Sequence, residues 1–367
     1  MKNLKDIIID ARMVTHQLHG IGRYTYELIK RVSSTSELNL KLLVNDVNLG
    51  KEIFGEFKNV EFIVMKSKFI SLQEQIELPR VINRYKGKAI FHSPSFVGSP
   101  FIKINTIMTI HDLNHLRFPQ FYSPFHKYYY KFIVKTSARK TAKLLTGSEF
   151  AKDELLEWLE CDESKIVVAY DGIDKRFSLI EDKDKLESVR KKYKLPDRFI
   201  LYIGNQKPHK NVETIISSMK YIDEVKFVIN GKGNESINKA ISDNKVEDKI
   251  LKIGFVDEED LPYVYNLATV FTFPSLYEGF GLPPLEAMAC GCPTVVSNTS
   301  SLPEVVGEAA LKVEAKDDKA FADAINQLLT DEKLRENLIQ SGMERVKKFS
   351  WDKMVEDTIK VYMEAMN

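Results

Sequence analysis

Three cysteines in 367 residues, Cys161, Cys290 and Cys292, form an odd set without paired metal spacing, so neither a disulfide framework nor a zinc site is expected. No apolar run approaches the roughly 18 residues that cross a bilayer. The N-terminal apolar stretch Ile7–Ile9 is too short for a secretory leader, so the expected location is the cytosol. With 17 glycines and 13 prolines the chain is neither fibrous nor low in complexity, and 44% hydrophobic residues exclude a disordered one. An excess of one charge is missing too, since the formal net charge is only +1. That balance hides a split. Residues 1–150 hold 23 Lys and Arg against 12 Asp and Glu, whereas the remainder holds 30 against 40. A basic half suits an anionic surface or substrate. A nucleic-acid partner is not expected, because the basic patch is not repeated and the whole chain is nearly neutral.

What is present is alternation. Short β-branched runs at 7–11, 38–44, 60–65, 89–92, 106–111, 144–147 and 166–169 are followed by a second series at 199–204, 226–230, 250–255, 270–273, 294–297 and 310–313. Between them lie helical patterns at 24–32, 149–159, 212–219, 260–267, 285–289 and 319–329. Nearly continuous apolar strands alternating with helices predict parallel sheets covered on both faces. The pattern occurs twice, giving an α/β chain of two Rossmann-like, doubly wound domains. The charged stretch 178–198 reads as a linker with a short polar helix, placing the domains at 1–177 and 178–350. Residues 351–367 form a last helix.

In such sheets ligands bind beyond the carboxyl ends of the strands. The densest signal there is Glu278-Gly279-Phe280-Gly281-Leu282-Pro283-Pro284-Leu285-Glu286. Gly279 and Gly281 let backbone N–H groups approach a ligand, and the following helix start favours an anion such as phosphate. Glu286, in the first helical turn, can accept two hydroxyl hydrogen bonds, as from a ribose diol, and Glu278 can hold a sugar hydroxyl. The bland alternative is a tight turn in which Glu286 complements the helix dipole. Phe280, set between two glycines in a polar loop, is not explained that way. In the first domain, Gly20-x-Gly22 opens a helix but lacks the third glycine of a dinucleotide fingerprint. His111 lies at a strand's carboxyl end, Asp112 reads as a loop cap, and Asp171 and Asp174 read as loop formers. No role is assigned to His16, His19, His92, His115 or His126. Lys127, Lys131, Lys135, Arg139 and Lys143, spaced by four beside Tyr128, Tyr129, Tyr130 and Phe132, predict a basic helical face. It is either a contact for anionic lipid or a solvated surface.

The segment from Glu278 to Glu286 resembles the Glu–seven residues–Glu motif of glycosyltransferase family 4, retaining enzymes of the GT-B fold. The resemblance runs nearly end to end, through Gly20–Tyr24, Thr109–Leu113, Gly147–Lys152, Asp171–Asp174, Gly204-Asn205 with Lys210-Asn211, and Ser301–Val305. It implies an acceptor-binding first domain and a nucleotide-sugar-binding second domain, with reaction in the cleft and the last helix crossing back to the first domain. It implies that His111, Lys210 and Glu278 carry catalysis. Glu278 and His111 would touch the donor sugar, Lys210 the departing diphosphate, and Glu286 the ribose. Gly279, Phe280, Gly281 and Leu282 would line the donor, and Gly20 and Gly22 would meet its phosphate. Many members have Arg where this chain has Asn205, so Lys207 or His209 would supply the second cation. No metal and no cofactor are expected beyond the nucleotide sugar.

Similarity of the first-domain motifs to bacterial mannosyltransferases makes GDP-mannose the first expected donor, with UDP-glucose or a UDP-N-acetylhexosamine as alternatives. The expected acceptor is a glycan on a lipid carrier in cell-surface polysaccharide synthesis, reached peripherally at the inner face of the plasma membrane. A sugar-nucleotide epimerase and a non-catalytic binding protein are the competing classes.

Overall fold

The computed structural model describes residues 5–18, 20–35, 38–122 and 128–366. The chain divides into two compact units, Met1–Gly172 with Trp351–Asn367, and Ile173–Ser350.

The sheet of the first unit consists of β1 (Lys5–Asp10), β2 (Leu38–Val44), β3 (Val60–Val64), β4 (Ala89–Ser93), β5 (Thr106–Thr109), β6 (Lys143–Thr146) and β7 (Ile166–Val168). Its order is β3-β2-β1-β4-β5-β6-β7, with every pair parallel. Alternate residues of β1 serve opposite faces, as the two-residue period of a strand requires. Ile7 and Ile9 join Leu40 and Leu42 in one core cluster, while Ile8 joins Leu43, Phe91, Leu78 and Ile82 in another. The first cluster also takes Trp351, Met354, Val355, Val361 and Tyr362 from the helix Trp351–Met366, so the end of the chain completes the core of its beginning. At the far end of that helix, the Asn105 side-chain amide donates to the Ala365 carbonyl at 2.7 Å.

The sheet of the second unit consists of β8 (Phe199–Tyr202), β9 (Lys226–Ile229), β10 (Ile250–Lys252), β11 (Val270–Phe273), β12 (Thr294–Ser297) and β13 (Leu311–Val313). They lie in the order β10-β9-β8-β11-β12-β13, again all parallel. Every residue of β8, β11 and β12 is buried, as in a parallel sheet covered on both faces. Residues 173–177 belong to this unit. Phe177 packs edge-on against Tyr265 at 5.8 Å, and Arg176 reaches Glu258 at 3.4 Å. The charged stretch that follows contains the helix Lys183–Tyr193, capped at its start by Asp182 and closed by Lys194 in the left-handed region.

The basic segment differs from its expected helical face. Lys127 lies outside the described residues. Tyr129–Val134 is a π-helix, whose wider turn takes a spacing of four out of line, and Lys143 stands on β6. Most of its charge is also met within the unit. Lys135 and Arg139 face Glu160 at 3.4 and 3.7 Å, and Lys143 faces Glu364 at 3.1 Å.

Candidate active site

Strand order reverses between β1 and β4 in the first sheet and between β8 and β11 in the second. A crevice opens at such a reversal, because neighbouring connections leave in opposite directions. In the second unit, the loop after β8 carries Asn205, Lys207, His209 and Lys210, and the loop after β11 carries Glu278 to Leu282. The fold brings these two loops together.

Hydroxyl and amide hydrogen bonds hold the loops in place. Leu276 N–H donates to the His209 carbonyl at 2.8 Å, and the Ser275 hydroxyl donates to the same oxygen at 3.2 Å. The Ser301 hydroxyl donates to the Glu278 and Phe280 carbonyls, and Glu278 N–H donates to Ser300 Oγ. Asn211, itself left-handed at φ 54°, donates its side-chain amide to Pro274 O at 3.0 Å and to Ala315 O at 2.6 Å. Gly281 takes φ 114° ahead of the helix Leu282–Ala289, and a Cβ there would meet Leu302 at 2.8 Å. No side chain caps that helix start. The Phe280 ring is not a ligand-facing group. It is buried edge-on against Phe349 at 5.5 Å, which explains an aromatic in this loop, so only its backbone is left for a ligand.

Lys210 Nζ sits 2.6 Å from Glu278 Oε1, with both side chains about 12–13% exposed, and lies 5.3 Å from the centre of the Phe273 ring. Such a pair is held mostly out of water but open enough for a ligand to displace it. Glu286 Oε2 accepts from the Tyr265 hydroxyl at 3.0 Å. Tyr265 is fully buried, and burial followed by the nearby Glu286 charge pushes its hydroxyl well above the ordinary tyrosine range. It is therefore a fixed donor that aims the carboxylate. His209 is buried, and burial, followed by the charge of Lys210, lowers its pKa to about 4. It is uncharged near neutrality, which favours Lys207 over His209 as the expected second cation. Lys207 and Asn205 are exposed, Asn205 accepting from Lys207 N–H at 3.2 Å.

The first unit, described by itself, holds His111 just beyond β5. Its Nε2 donates to the Pro94 carbonyl at 3.1 Å, and the Tyr24 ring meets it edge-on at 4.7 Å. Behind them runs a buried chain that sequence reasoning missed. The Tyr24 hydroxyl lies 3.2 Å from Thr109 Oγ1, which lies 2.8 Å from His92 Nε2, and His92 Nδ1 lies 2.6 Å from the Tyr362 hydroxyl. Burial lowers the His92 pKa to about 3. Gly20 adopts φ 49° before the helix Ile21–Val32, and a Cβ on Gly22 would stand 2.9 Å from the Met13 carbonyl oxygen. Asp112 accepts from Asn114 N–H at 2.9 Å and Asp174 from Arg176 N–H at 3.1 Å, both as loop formers. Asp171 differs from that reading. It is buried, and its Oδ1 accepts no hydrogen bond. Among the described residues, no group of three or more His, Cys, Asp or Glu is placed to hold a metal ion.

Two doubly wound units, with an acid–lysine pair on the switch-point loops of the second, have the organisation of GT-B glycosyltransferases. Comparison with known proteins agrees. Residues 18–177 match the family model described as Glycosyltransferase Family 4, and residues 184–345 match that of Glycosyl transferases group 1. The chain belongs to this glycosyltransferase family. It is 29% identical to the O-antigen chain mannosyltransferase B of Escherichia coli, over 97% of this chain and 99% of that one. It is 30% identical to the O-antigen chain mannosyltransferase RfbU of Salmonella typhimurium, over 62% of each chain. The crystal structure of Anabaena HepE in complex with UDP and glucose superimposes with a TM-score of 0.78 at 13% identity, covering 98% of this chain and 100% of that one, a likeness of fold.

Proposed function

We propose that the chain is a retaining mannosyltransferase that moves mannose from GDP-mannose to a hydroxyl of a lipid-linked glycan, without a metal. The Lys210–Glu278 pair at the second sheet's switch point carries this reading. Donor binding exchanges that pair for two others. The diphosphate takes Lys210 and the sugar hydroxyls take Glu278, so neither charge is left unmatched. Glu286, aimed by Tyr265, takes the ribose. Lys207 is the second diphosphate cation, since His209 stays neutral. Rate then rests on positioning and on charge stabilisation of the leaving diphosphate, which needs its cation most as the bond breaks. The names of the E. coli and Salmonella relatives support mannose and a surface-glycan acceptor.

Incubating the protein with GDP-mannose, UDP-glucose and UDP-N-acetylglucosamine, with a lipid-linked glycan acceptor and with chelator, tests this. Transfer from GDP-mannose that survives chelator and keeps the anomeric configuration is expected. Transfer from a UDP-sugar alone, or epimerisation without transfer, would replace the reading. Lys210→Ala should lower kcat by about a hundredfold while raising the donor KM much less. A KM effect alone would move Lys210 out of the transition state.

The acceptor brings the enzyme to the inner membrane face. With three of its cations facing acids, the 128–143 segment should bind anionic vesicles weakly. Co-sedimentation at low and high salt checks this, and strong binding that resists salt would contradict it.

A further inference from the structure

The backbone after β5 and the backbone after β7 both run along the end of β6. Ile110 N–H donates to the Leu145 carbonyl, and Ala169 N–H donates to the Thr146 carbonyl. This places His111 and Asp171 at one edge of the sheet's carboxyl end. Asp171 is 8% exposed, and its Oδ1 has no donor. A buried carboxylate oxygen without a partner weakens a fold, and an Asn of the same shape would avoid the charge. Such a group at the carboxyl end of a parallel sheet, where ligands bind, points to function rather than packing.

We propose that Asp171 is a positioning residue for His111, its ionised carboxylate setting the field in which the imidazole meets the ligand. Nε2 of His111 carries the hydrogen that the Pro94 carbonyl accepts, so Nδ1 is the nitrogen left to accept from a ligand hydroxyl. A negative charge beside the ring makes Nδ1 a stronger acceptor, and a protonated Asp171 does not. Burial raises the Asp171 pKa to about 6, partly countered by His111. Other titratable groups near the pair include Tyr24 on the first helix, His92 on β4 and Tyr362 on the last helix, with Asp112 next to His111 in the chain. Burial holds the two hydroxyls high and His92 at about 3, so their charges do not change between pH 5 and 9. This inference rests on the proposed transfer reaction, but one of its readouts does not.

The experiment compares wild type, Asp171→Asn, His111→Ala and the double variant. With GDP-mannose, the wild-type kcat should fall on the acid side with a midpoint near pH 6. Asp171→Asn should lose that limb and run about tenfold slower at pH 8, with donor KM little changed. In the His111→Ala background the Asn substitution should add nothing. A wild-type rate and limb in Asp171→Asn, or a full independent loss on top of His111→Ala, overturns the proposal. Without any turnover, NMR of the His111 ring still decides. Its shift should show a step at the Asp171 midpoint that is absent from Asp171→Asn, and the same step in both proteins overturns the assignment. Absence of transfer from every nucleotide sugar would instead refute the reaction.

Discussion

Glu286, the proposed ribose-binding residue, illustrates how much of a site is spent on holding its ligand groups in place. Its carboxylate accepts from the hydroxyl of Tyr265, a buried donor held well above the ordinary tyrosine range. Glu286→Ala should weaken binding of the free nucleoside diphosphate by about 1.5–3 kcal/mol, the worth of charge-assisted hydrogen bonds. Tyr265→Phe should show a smaller part of the same loss. Calorimetry measures both, and unchanged affinity in a folded Glu286→Ala protein would remove the carboxylate from the ribose. Two buried histidines set the acid limit of the fold. His92 and His209 have pKa values of about 3 and 4 in the folded chain against 6.5 unfolded. Their contribution is complete above pH 6.5 and is lost as pH falls toward those values, at up to about 1.4 kcal/mol per pH unit each. Asp171 acts in the opposite sense, since its raised pKa makes the folded state less favourable as pH rises from about 4 to 6. Urea midpoints should therefore decline from pH 7 to pH 5, more steeply in Asp171→Asn. A flat profile in that variant would contradict the burial of both imidazoles.

Among the elements, the glycine turn after β1 shows most directly why a residue type is fixed. Gly22 lies inside the helix Ile21–Val32, where glycine is ordinarily unfavourable, because its missing Cβ makes room for the Met13 carbonyl. Gly22→Ala should cost about 1–3 kcal/mol by overpacking rather than gain helix propensity. A rise in melting temperature would show that the backbone can shift instead. The strands were legible because burial on both sheet faces writes itself as an unbroken apolar run. Each of the thirteen runs became a strand, eight of them ending one to three residues early where the loop begins. Helices at Val47–Phe54, Glu74–Ile82, Glu235–Asn244 and Glu332–Val346 escaped, the first three because 8 to 10 residues span too few turns for a period to stand out and the last because few of its positions are buried. The glutamates and Lys210 were visible as motif positions. Their supports were not, since Tyr265 reads as one more apolar helix residue and Asn211 as a loop residue. Phe280 misled for the same reason, because a ring that packs on Phe349, nearly 70 residues on, has no local signature.

At the scale of the molecule, the second unit interrupts the first. Its two ends are joined, Ile173 N–H meeting the Phe349 carbonyl at 3.4 Å, while the first core waits for Trp351–Met366. Deleting 351–367 should leave the second unit folded and the first without a stable core, because Trp351, Met354 and Tyr362 would leave its largest cluster. Limited proteolysis of the truncated chain checks this. Protection of both units would mean that the helix merely lies on a finished fold. The same topology dictates an order of events on the ribosome. The half that is synthesised first cannot close until Trp351–Met366 clear the exit tunnel, whereas the later-made segment is complete as soon as Ser350 emerges. A nascent chain of this protein therefore carries an open, apolar sheet from the making of β7 until that helix emerges. Until then it should be bound by holding chaperones, and a chain stopped before Trp351 should yield aggregate rather than a half-active fragment.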